Sequence, residues 1–182
     1  MKMWILKFGA IWLLGSTATA SASDCPVALD FHKRPLTEAQ PVHLCEEFRG
    51  QVVIIVNTAS RCAYTPQYEG LEALYGQYRE RGLVVAGFPS NDFAGQEPGT
   101  EKQIRDFCQL TYGVKFPMFA KTRVIGPNAE PLYQHLASVT GEVPRWNFHK
   151  YLLDRQGRVV ASFPSQVEPR DPRLIAAIEA LL

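Results

Sequence analysis

Two continuous apolar runs constrain the fold of this chain more than any other feature. Residues 51–57 read QVVIIVN and residues 83–88 read LVVAGF, without the polar and apolar alternation of a half-exposed strand. Runs of this kind are typical of strands that are buried on both faces, as in a parallel sheet. The sequence therefore predicts two parallel strands joined by a crossover connection.

The segment between the two runs has the pattern of a helix. Thr65 and Pro66 suit the N-cap and the first helical position, and Gly82 suits the end of the segment. Apolar or aromatic side chains recur at intervals of three and four residues, at Tyr68, Leu71, Leu74, Tyr75 and Tyr78. Strand, helix and strand in this order form a right-handed crossover unit.

Shorter elements complete the predicted fold. A helix fits residues 100–110, with Thr100 as its cap and an apolar side made of Ile104, Phe107, Cys108 and Leu110. We further expect an irregular hairpin at 25–45, a short helix at 131–139, a hairpin with strands 146–153 and 158–163, and a last helix at 171–182. Together these elements predict an α/β protein with a thioredoxin-like fold, in which helices flank a central mixed sheet and an N-terminal β-hairpin extends it.

Composition excludes several classes of protein. The chain has 182 residues, of which 46% are hydrophobic and 20% charged, as expected for one globular domain. Lys and Arg number 19 against 18 Asp and Glu, without a basic stripe, so no nucleic-acid partner is expected.

Residues 1–22 have the pattern of a secretory signal peptide. A basic start is followed by a short apolar run, and Ala20-Ser21-Ala22 fits a cleavage site. The run is shorter than the ~20 residues of a spanning helix, which disfavours a retained anchor, and Asp24 disfavours lipid modification of Cys25. We therefore expect an exported protein, periplasmic or secreted, with one domain at 23–182, no membrane span after cleavage, and an oxidising environment that permits disulfides.

Cys62 is the strongest candidate for chemistry. It follows the first buried run in a polar loop, lies just ahead of the predicted helix, and has Arg61 beside it. The unpaired N–H groups of a helix start and a neighbouring cation both favour the thiolate, which is the nucleophilic form. Free cysteine is also common in protein cores, so a buried structural residue is the alternative.

Four sequence blocks in order resemble the glutathione peroxidase family in its cysteine form. They are NTASRCAYTPQYEGLEALY at 57–75, GFPSNDFAGQEPG at 87–99, FCQLTYGVKFPMF at 107–119 and WNFHKYLLDRQG at 146–157. The resemblance covers most of residues 23–182. It implies a thioredoxin fold and a peroxidase that reduces hydrogen peroxide and organic or lipid hydroperoxides, with a role in the oxidative stress response.

The same resemblance places a catalytic tetrad on Cys62, Gln96, Trp146 and Asn147. Amide and indole N–H groups are neutral donors that can stabilise a thiolate and the oxyanion that leaves a peroxide. Composition alone favours a solvated turn residue at Gln96 and a core residue at Trp146. The match of all four blocks reverses this preference.

The resemblance also implies that Cys108 forms a disulfide with the oxidised Cys62 and so resolves it. A cysteine held in a packed helix requires local unwinding of that helix before the bond can form. The alternative interpretation of Cys108 is a small residue of the core. With Cys62 and Cys108 assigned to this redox pair, we expect Cys25 and Cys45 to form a structural disulfide at the ends of the N-terminal hairpin.

No cofactor or metal is implied, and the electron donor is expected to be a thioredoxin-like protein or glutathione. Between Gly126 and Trp146 there is room for one short helix and no long insertion. In the family that the sequence resembles, that insertion builds the tetramer contact, so the resemblance implies a monomer or weak dimer with an open site. Ala63 stands where the family usually has Gly, and Tyr64 follows it, which predicts a bulkier entrance.

Three other functions remain open. One is a redox-inactive structural protein, which the polar loop around Cys62 disfavours. A thioredoxin-like thiol-disulfide oxidoreductase would have two cysteines spaced C-x-x-C, but Thr65 stands at that position after Cys62. A metal-binding module would have closely spaced cysteines and a histidine, a pattern that the four histidines do not complete.

Overall fold

The computed structural model describes residues 25–182, so the predicted signal peptide lies outside the described residues. The strands are β1 (His32–Lys33), β2 (Val42–His43), β3 (Val52–Thr58), β4 (Leu83–Pro89), β5 (Lys150–Leu153) and β6 (Val159–Phe163). The α-helices are α1 (Leu44–Phe48), α2 (Gln67–Tyr78), α3 (Glu101–Tyr112), α4 (Pro131–Thr140) and α5 (Pro172–Glu179), and short 3-10 turns form at Val27–Leu29 and Arg79–Arg81.

A four-stranded sheet in the order β4-β3-β5-β6 forms the centre of the fold. Strands β3 and β4 are parallel, whereas β5 is antiparallel to β3 and β6 is antiparallel to β5. The predicted parallel pair and the thioredoxin-like mixed sheet are therefore confirmed. This topology brings the carboxyl ends of β3 and β4 and the amino end of β5 to the same edge of the sheet.

The central strand β3 is buried on both faces, as its apolar run predicts. Its residues alternate between two cores because successive side chains of a strand point to opposite faces. Val52, Ile54 and Val56 pack in the core that includes residues of α2, α3 and α5. Val53 and Ile55 pack on the opposite face in the core that includes residues of α1 and α4.

Three local expectations are wrong. The helix predicted to start at Pro66 begins at Gln67, and the Thr65 side chain bonds backwards into the preceding loop instead of capping it. Leu110 is 87% exposed, so it is not part of the apolar side of α3. The strand predicted from residue 146 starts only at Lys150, because Phe148 has a left-handed φ of 64° that interrupts extended backbone.

The N-terminal segment forms the expected hairpin, in which β1 and β2 pair antiparallel. A disulfide joins Cys25 to Cys45, with the two Cα atoms 6.0 Å apart, and this is the pairing expected from the sequence. Cys62 and Cys108 are both free thiols. Within residues 25–182, every helix is too short or too polar to cross a membrane.

Replacing Cys25 and Cys45 together by Ser should lower the free energy of unfolding by about 3 kcal/mol, because the unfolded chain regains the freedom that the closed loop removes. Urea denaturation without reductant measures the loss. With dithiothreitol present the wild type and the double variant should unfold at the same urea concentration. A difference in stability that persists in dithiothreitol would instead show that the loss comes from the packing of the buried Cys45.

Candidate active site

Cys62 lies in the loop that connects β3 to α2, at the common edge of the sheet. The Thr65 hydroxyl shapes this loop, because it accepts a hydrogen bond from the Cys62 N–H at 2.9 Å and donates one to the Ala59 carbonyl at 2.9 Å. The Cys62 side chain is half-buried, and its Sγ accepts a hydrogen bond from the Tyr64 N–H at 3.3 Å. An N–H donor at the sulfur stabilises negative charge on it, as the predicted nucleophile requires.

Gln96 and Asn147 are joined directly, as the resemblance leads one to expect of residues in one site. The Asn147 Nδ2 donates to the Gln96 Oε1 at 2.9 Å, and the Gln96 carbonyl accepts the N–H of Arg61 at 3.0 Å. The loops that follow β3 and β4 and the turn before β5 are thereby tied together beside Cys62. The Gln96 amide oxygen accepts from Asn147, and its amide N–H groups are the donors that it can offer to another ligand.

Trp146 lies at the surface, so the core interpretation of this residue is wrong. It is 36% exposed and packs its ring against that of Phe93, with the centroids 5.7 Å apart. A groove of about 700 Å³ runs between Trp146 and Tyr64, and His149 and Gln166 contribute to its wall. Two aromatic side chains in the lining of a groove suit a ligand with an apolar body.

Backbone strain is concentrated in the same loops. Among the described residues other than Gly, only Ala94 and Phe148 have a positive φ, of 52° and 64°. Ala94 stands two residues before Gln96, and Phe148 directly follows Asn147. Such conformations cost about 1–3 kcal/mol and persist where the surroundings fix them. Both strained residues therefore lie within two positions of a predicted tetrad residue.

Asn57 fixes the turn before β5, a role that sequence reasoning missed. Its Nδ2 donates to the Trp146 carbonyl at 3.1 Å, and its Oδ1 accepts the His149 N–H at 3.1 Å. The side chain is fully buried at the end of β3. A polar residue that ends an otherwise apolar buried run was the available signal, because buried amides require partners.

Lys150 is a second missed residue and is also fully buried. Its Nζ donates three hydrogen bonds, to the Gln67 Oε1 at 2.6 Å and to the carbonyls of Phe148 and Val167 at 2.7 Å each. Burial lowers the pKa of Lys150 to about 7, but three acceptors match the donors of an ammonium group. Lys150 thus connects the start of α2 to the turn that carries Asn147.

Cys108 is buried on α3 and packs in the core shared with α2 and α5. Burial raises the pKa of the Cys108 thiol to about 11, the Tyr68 hydroxyl opposes this rise, and the Glu97 charge adds to it. The folded protein therefore holds Cys108 as an unreactive thiol.

One group of potential metal ligands is found among residues 25–182, and it lies in the N-terminal hairpin. It consists of Cys25, Asp30 and His43, whose ligand atoms lie within 4.8 Å of one another. The Cys25 sulfur is bound in the disulfide, which removes the thiolate that a metal would need.

A thioredoxin fold with a half-buried cysteine after its central strand, tied to neutral amide donors, defines a thiol-dependent oxidoreductase. Comparison with known proteins narrows this class. The family model described as glutathione peroxidase matches residues 29–137. This chain belongs to the glutathione peroxidase family, in its cysteine form, and is a thiol-based peroxidase.

Individual relatives agree with this assignment. The hydroperoxy fatty acid reductase gpx1 of Synechocystis sp. is 46% identical over 155 residues, which cover 80% of this chain and 90% of that protein. The glutathione peroxidase-like peroxiredoxin gpx1 of Schizosaccharomyces pombe is 49% identical over 125 residues, 66% of this chain and 79% of that protein. The crystal structure of T. cruzi GPX1 superimposes with a TM-score of 0.68 at 29% identity and covers 85% of this chain and 95% of that chain.

Replacing Lys150 by Met should lower the free energy of unfolding by about 3 kcal/mol, because three buried acceptors lose their donor. Thermal or urea denaturation measures the effect. Lys115→Met removes an exposed lysine and serves as the matched control, with little expected change. Equal stability of the two variants would show that the carbonyls near Lys150 are satisfied without it.

Proposed function

We propose that Cys62 reduces hydrogen peroxide and organic or lipid hydroperoxides. The thiolate attacks one peroxide oxygen, the O–O bond breaks, and Cys62 becomes a sulfenic acid. The other oxygen takes up a proton and leaves as water or an alcohol. The observation that carries this proposal is the bond between Asn147 and Gln96, which anchors an amide donor to the Cys62 loop through Arg61.

Neutral donors suit this reaction because negative charge develops on the departing oxygen. Gln96, Trp146 and Asn147 contribute amide and indole N–H groups, which stabilise an oxyanion without competing for its proton. The groove between Tyr64 and Trp146 supports access by bulky substrates. The relative from Synechocystis is named a hydroperoxy fatty acid reductase, which supports lipid hydroperoxides as one substrate class.

Cys108 completes the cycle in this proposal. Its sulfur attacks the Cys62 sulfenic acid, an S–S bond forms, and the S–O bond breaks to release water. Since Cys108 is buried on the inner side of α3, we expect this helix to unwind locally before the two sulfurs meet. A thioredoxin-like protein or glutathione then reduces the disulfide, and relatives named peroxiredoxins support the former.

Gln96→Ala should lower the rate of Cys62 oxidation by about 100-fold, the usual effect of losing one oxyanion donor. Stopped-flow measurement with hydrogen peroxide tests it, with Cys62→Ser as the blank. Gln77→Ala removes an exposed amide from α2 and is the matched control. A rate within a factor of two of the wild type would remove Gln96 from the proposed tetrad.

Cys108→Ser should abolish the intramolecular disulfide of Cys62 after one equivalent of peroxide, as detected by mass spectrometry of the alkylated protein. Turnover with a thioredoxin system should fall with it, while the first oxidation of Cys62 should proceed at the wild-type rate. A Cys62 disulfide that still forms within the variant chain would assign resolution to another cysteine.

Separate assays of peroxide consumption with a thioredoxin system and with glutathione identify the electron donor. Activity with neither would favour the thiol-disulfide oxidoreductase alternative.

We further propose that the protein is exported and acts in the periplasm or outside the cell, as a monomer or weak dimer. The pattern of residues 1–22 and the Cys25–Cys45 disulfide support export, because disulfides persist in oxidising compartments. N-terminal sequencing of the protein from cell fractions should find Ser23 as the first residue in the exported fraction. A cytoplasmic protein that retains Met1 would contradict this proposal.

A further inference from the structure

The N-terminal hairpin carries a cluster of metal-ligand side chains that the peroxidase mechanism does not use. We call it the hairpin cluster, and its members are Cys25, Asp30, His43 and Cys45. Cys25 and Asp30 flank the first 3-10 turn. His43 ends β2, and Cys45 lies in the first turn of α1. The pairing of β1 with β2 and the disulfide hold these two segments together.

Three of the ligand atoms are spaced as a tetrahedral zinc ion requires. The His43 Nε2 lies 3.9 Å from the Cys25 Sγ and 3.0 Å from the Asp30 Oδ1. Typical bond lengths to zinc would place a sulfur and a nitrogen about 3.6 Å apart, and a nitrogen and an oxygen about 3.3 Å apart. The Cys25 Sγ and an Asp30 oxygen lie within 4.8 Å of each other. Small side-chain movements therefore suffice to bring the three atoms onto one ion.

Reduction of the disulfide would supply the fourth ligand. Cys45 is bonded to Cys25, so its sulfur already lies next to the first ligand atom. The two Cα atoms are 6.0 Å apart. Two thiolates on one zinc ion lie about 3.8 Å from each other, a separation that rotation of the two side chains can provide. Two thiolates, an imidazole and a carboxylate are all zinc ligands, and thiolates favour zinc over magnesium or calcium.

Neighbouring side chains are placed to support these ligands. The His43 Nδ1 faces the Glu46 Oε1 at 3.9 Å, so the nitrogen turned away from Cys25 and Asp30 points toward a carboxylate. Zinc-bound histidines commonly have such a partner on the other ring nitrogen. His32 stacks on His43 with the ring centroids 4.6 Å apart, which restricts the plane of the ring. The Arg49 Nη2 donates to the Cys45 Sγ at 3.1 Å, and a cation at this distance favours the thiolate.

The cluster lies between the core and the solvent. The Cys45 side is buried, whereas the side chain of Asp30 is 64% exposed and that of His43 is 19% exposed. An ion can therefore enter from the side of Asp30 and meet the sulfurs at the inner end of the cluster.

We propose that the hairpin cluster is a redox-switched zinc site. In the oxidised protein the disulfide occupies the two sulfurs, and after reduction Cys25, Asp30, His43 and Cys45 bind one Zn²⁺. Both states join the same two segments of the chain, so the ion replaces the cross-link that reduction removes. The inference does not depend on Cys62 or on the proposed peroxidase reaction.

The switch balances with a dithiol reductant, such as the thioredoxin-like protein proposed above. The reductant supplies two electrons and two protons, the Cys25–Cys45 bond breaks, and both residues become thiols while the reductant becomes a disulfide. Zn²⁺ then displaces the two thiol protons, which pass to the solvent.

Zinc binding by the reduced and the oxidised wild type tests the inference. The protein reduced with tris(2-carboxyethyl)phosphine under nitrogen should bind one Zn²⁺ per chain in isothermal titration calorimetry, and the oxidised protein should bind none at the same concentrations. Co²⁺ as a probe should give thiolate-to-metal charge-transfer absorption in the reduced protein only. Under reducing conditions zinc should also raise the urea midpoint of the wild type, but not that of the variant with both Cys25 and Cys45 replaced by Ser.

Single substitutions locate the ion. His43→Gln should lose the binding seen in the reduced wild type, because the imidazole lies between the other ligands. Glu46→Gln should weaken the affinity by about 10–100-fold, the usual effect of losing the partner of a zinc-bound histidine. Glu47→Gln, an exposed neighbour on α1, and His135→Gln, a half-buried histidine of α4, are the matched controls and should bind as the wild type does. Cys62→Ser should also keep the wild-type affinity.

Three results would overturn the inference. The first is a folded, reduced wild type that takes up no zinc. The second is equal zinc affinity in the reduced wild type and in the Cys25→Ser, Cys45→Ser double variant. The third is binding that survives in His43→Gln but is lost in Cys62→Ser, because the ion would then lie on the active-site thiol.

Discussion

The burial of β3 is the constraint on which the rest of the structure depends. All residues of this strand are buried, and it pairs with a parallel strand on one side and an antiparallel strand on the other. Because of these directions, the loop after β3, the loop after β4 and the turn before β5 emerge at one edge of the sheet. Cys62, Gln96 and Asn147 belong to these three segments, so the direction of the strands assembles the site.

Hydrogen bonds between the three segments fix their relative positions at this edge of the sheet. The Asn147–Gln96 bond crosses from one segment to another, and the Asn57 amide holds the turn that carries Trp146. The left-handed backbone of Ala94 and Phe148 lies in the same segments. Strain of this kind requires well-packed surroundings, which the two cores on either face of the sheet supply. Hydrogen bonds between segments therefore fix the positions of Gln96 and of the turn before β5.

Two buried charges lie at this edge, and they have opposite surroundings. Lys150 donates to three oxygens, so its charge is neutralised by fixed dipoles and serves to join segments. Glu97 accepts from Ser60 on one oxygen and has no fixed partner on the other. Most buried polar groups have a hydrogen-bond partner, so Lys150 follows the general pattern and the free oxygen of Glu97 departs from it.

Local pattern in the sequence determined the elements: the apolar runs of β3 and β4, the helical spacing between them, the cap at Thr100 and the nucleophile candidate Cys62. These elements and this candidate depend on residues that are close together in the chain. The remaining site residues were predicted from the four blocks that resemble the glutathione peroxidase family. Tertiary structure decided what depends on distant residues. Thr65 bonds within the Cys62 loop instead of capping α2, Leu110 faces solvent, and Glu97 meets Ser60 only after folding. The spacing of apolar side chains is a property of the local sequence. The hydrogen-bond partners of a polar side chain depend on which segments the aligned strands bring together.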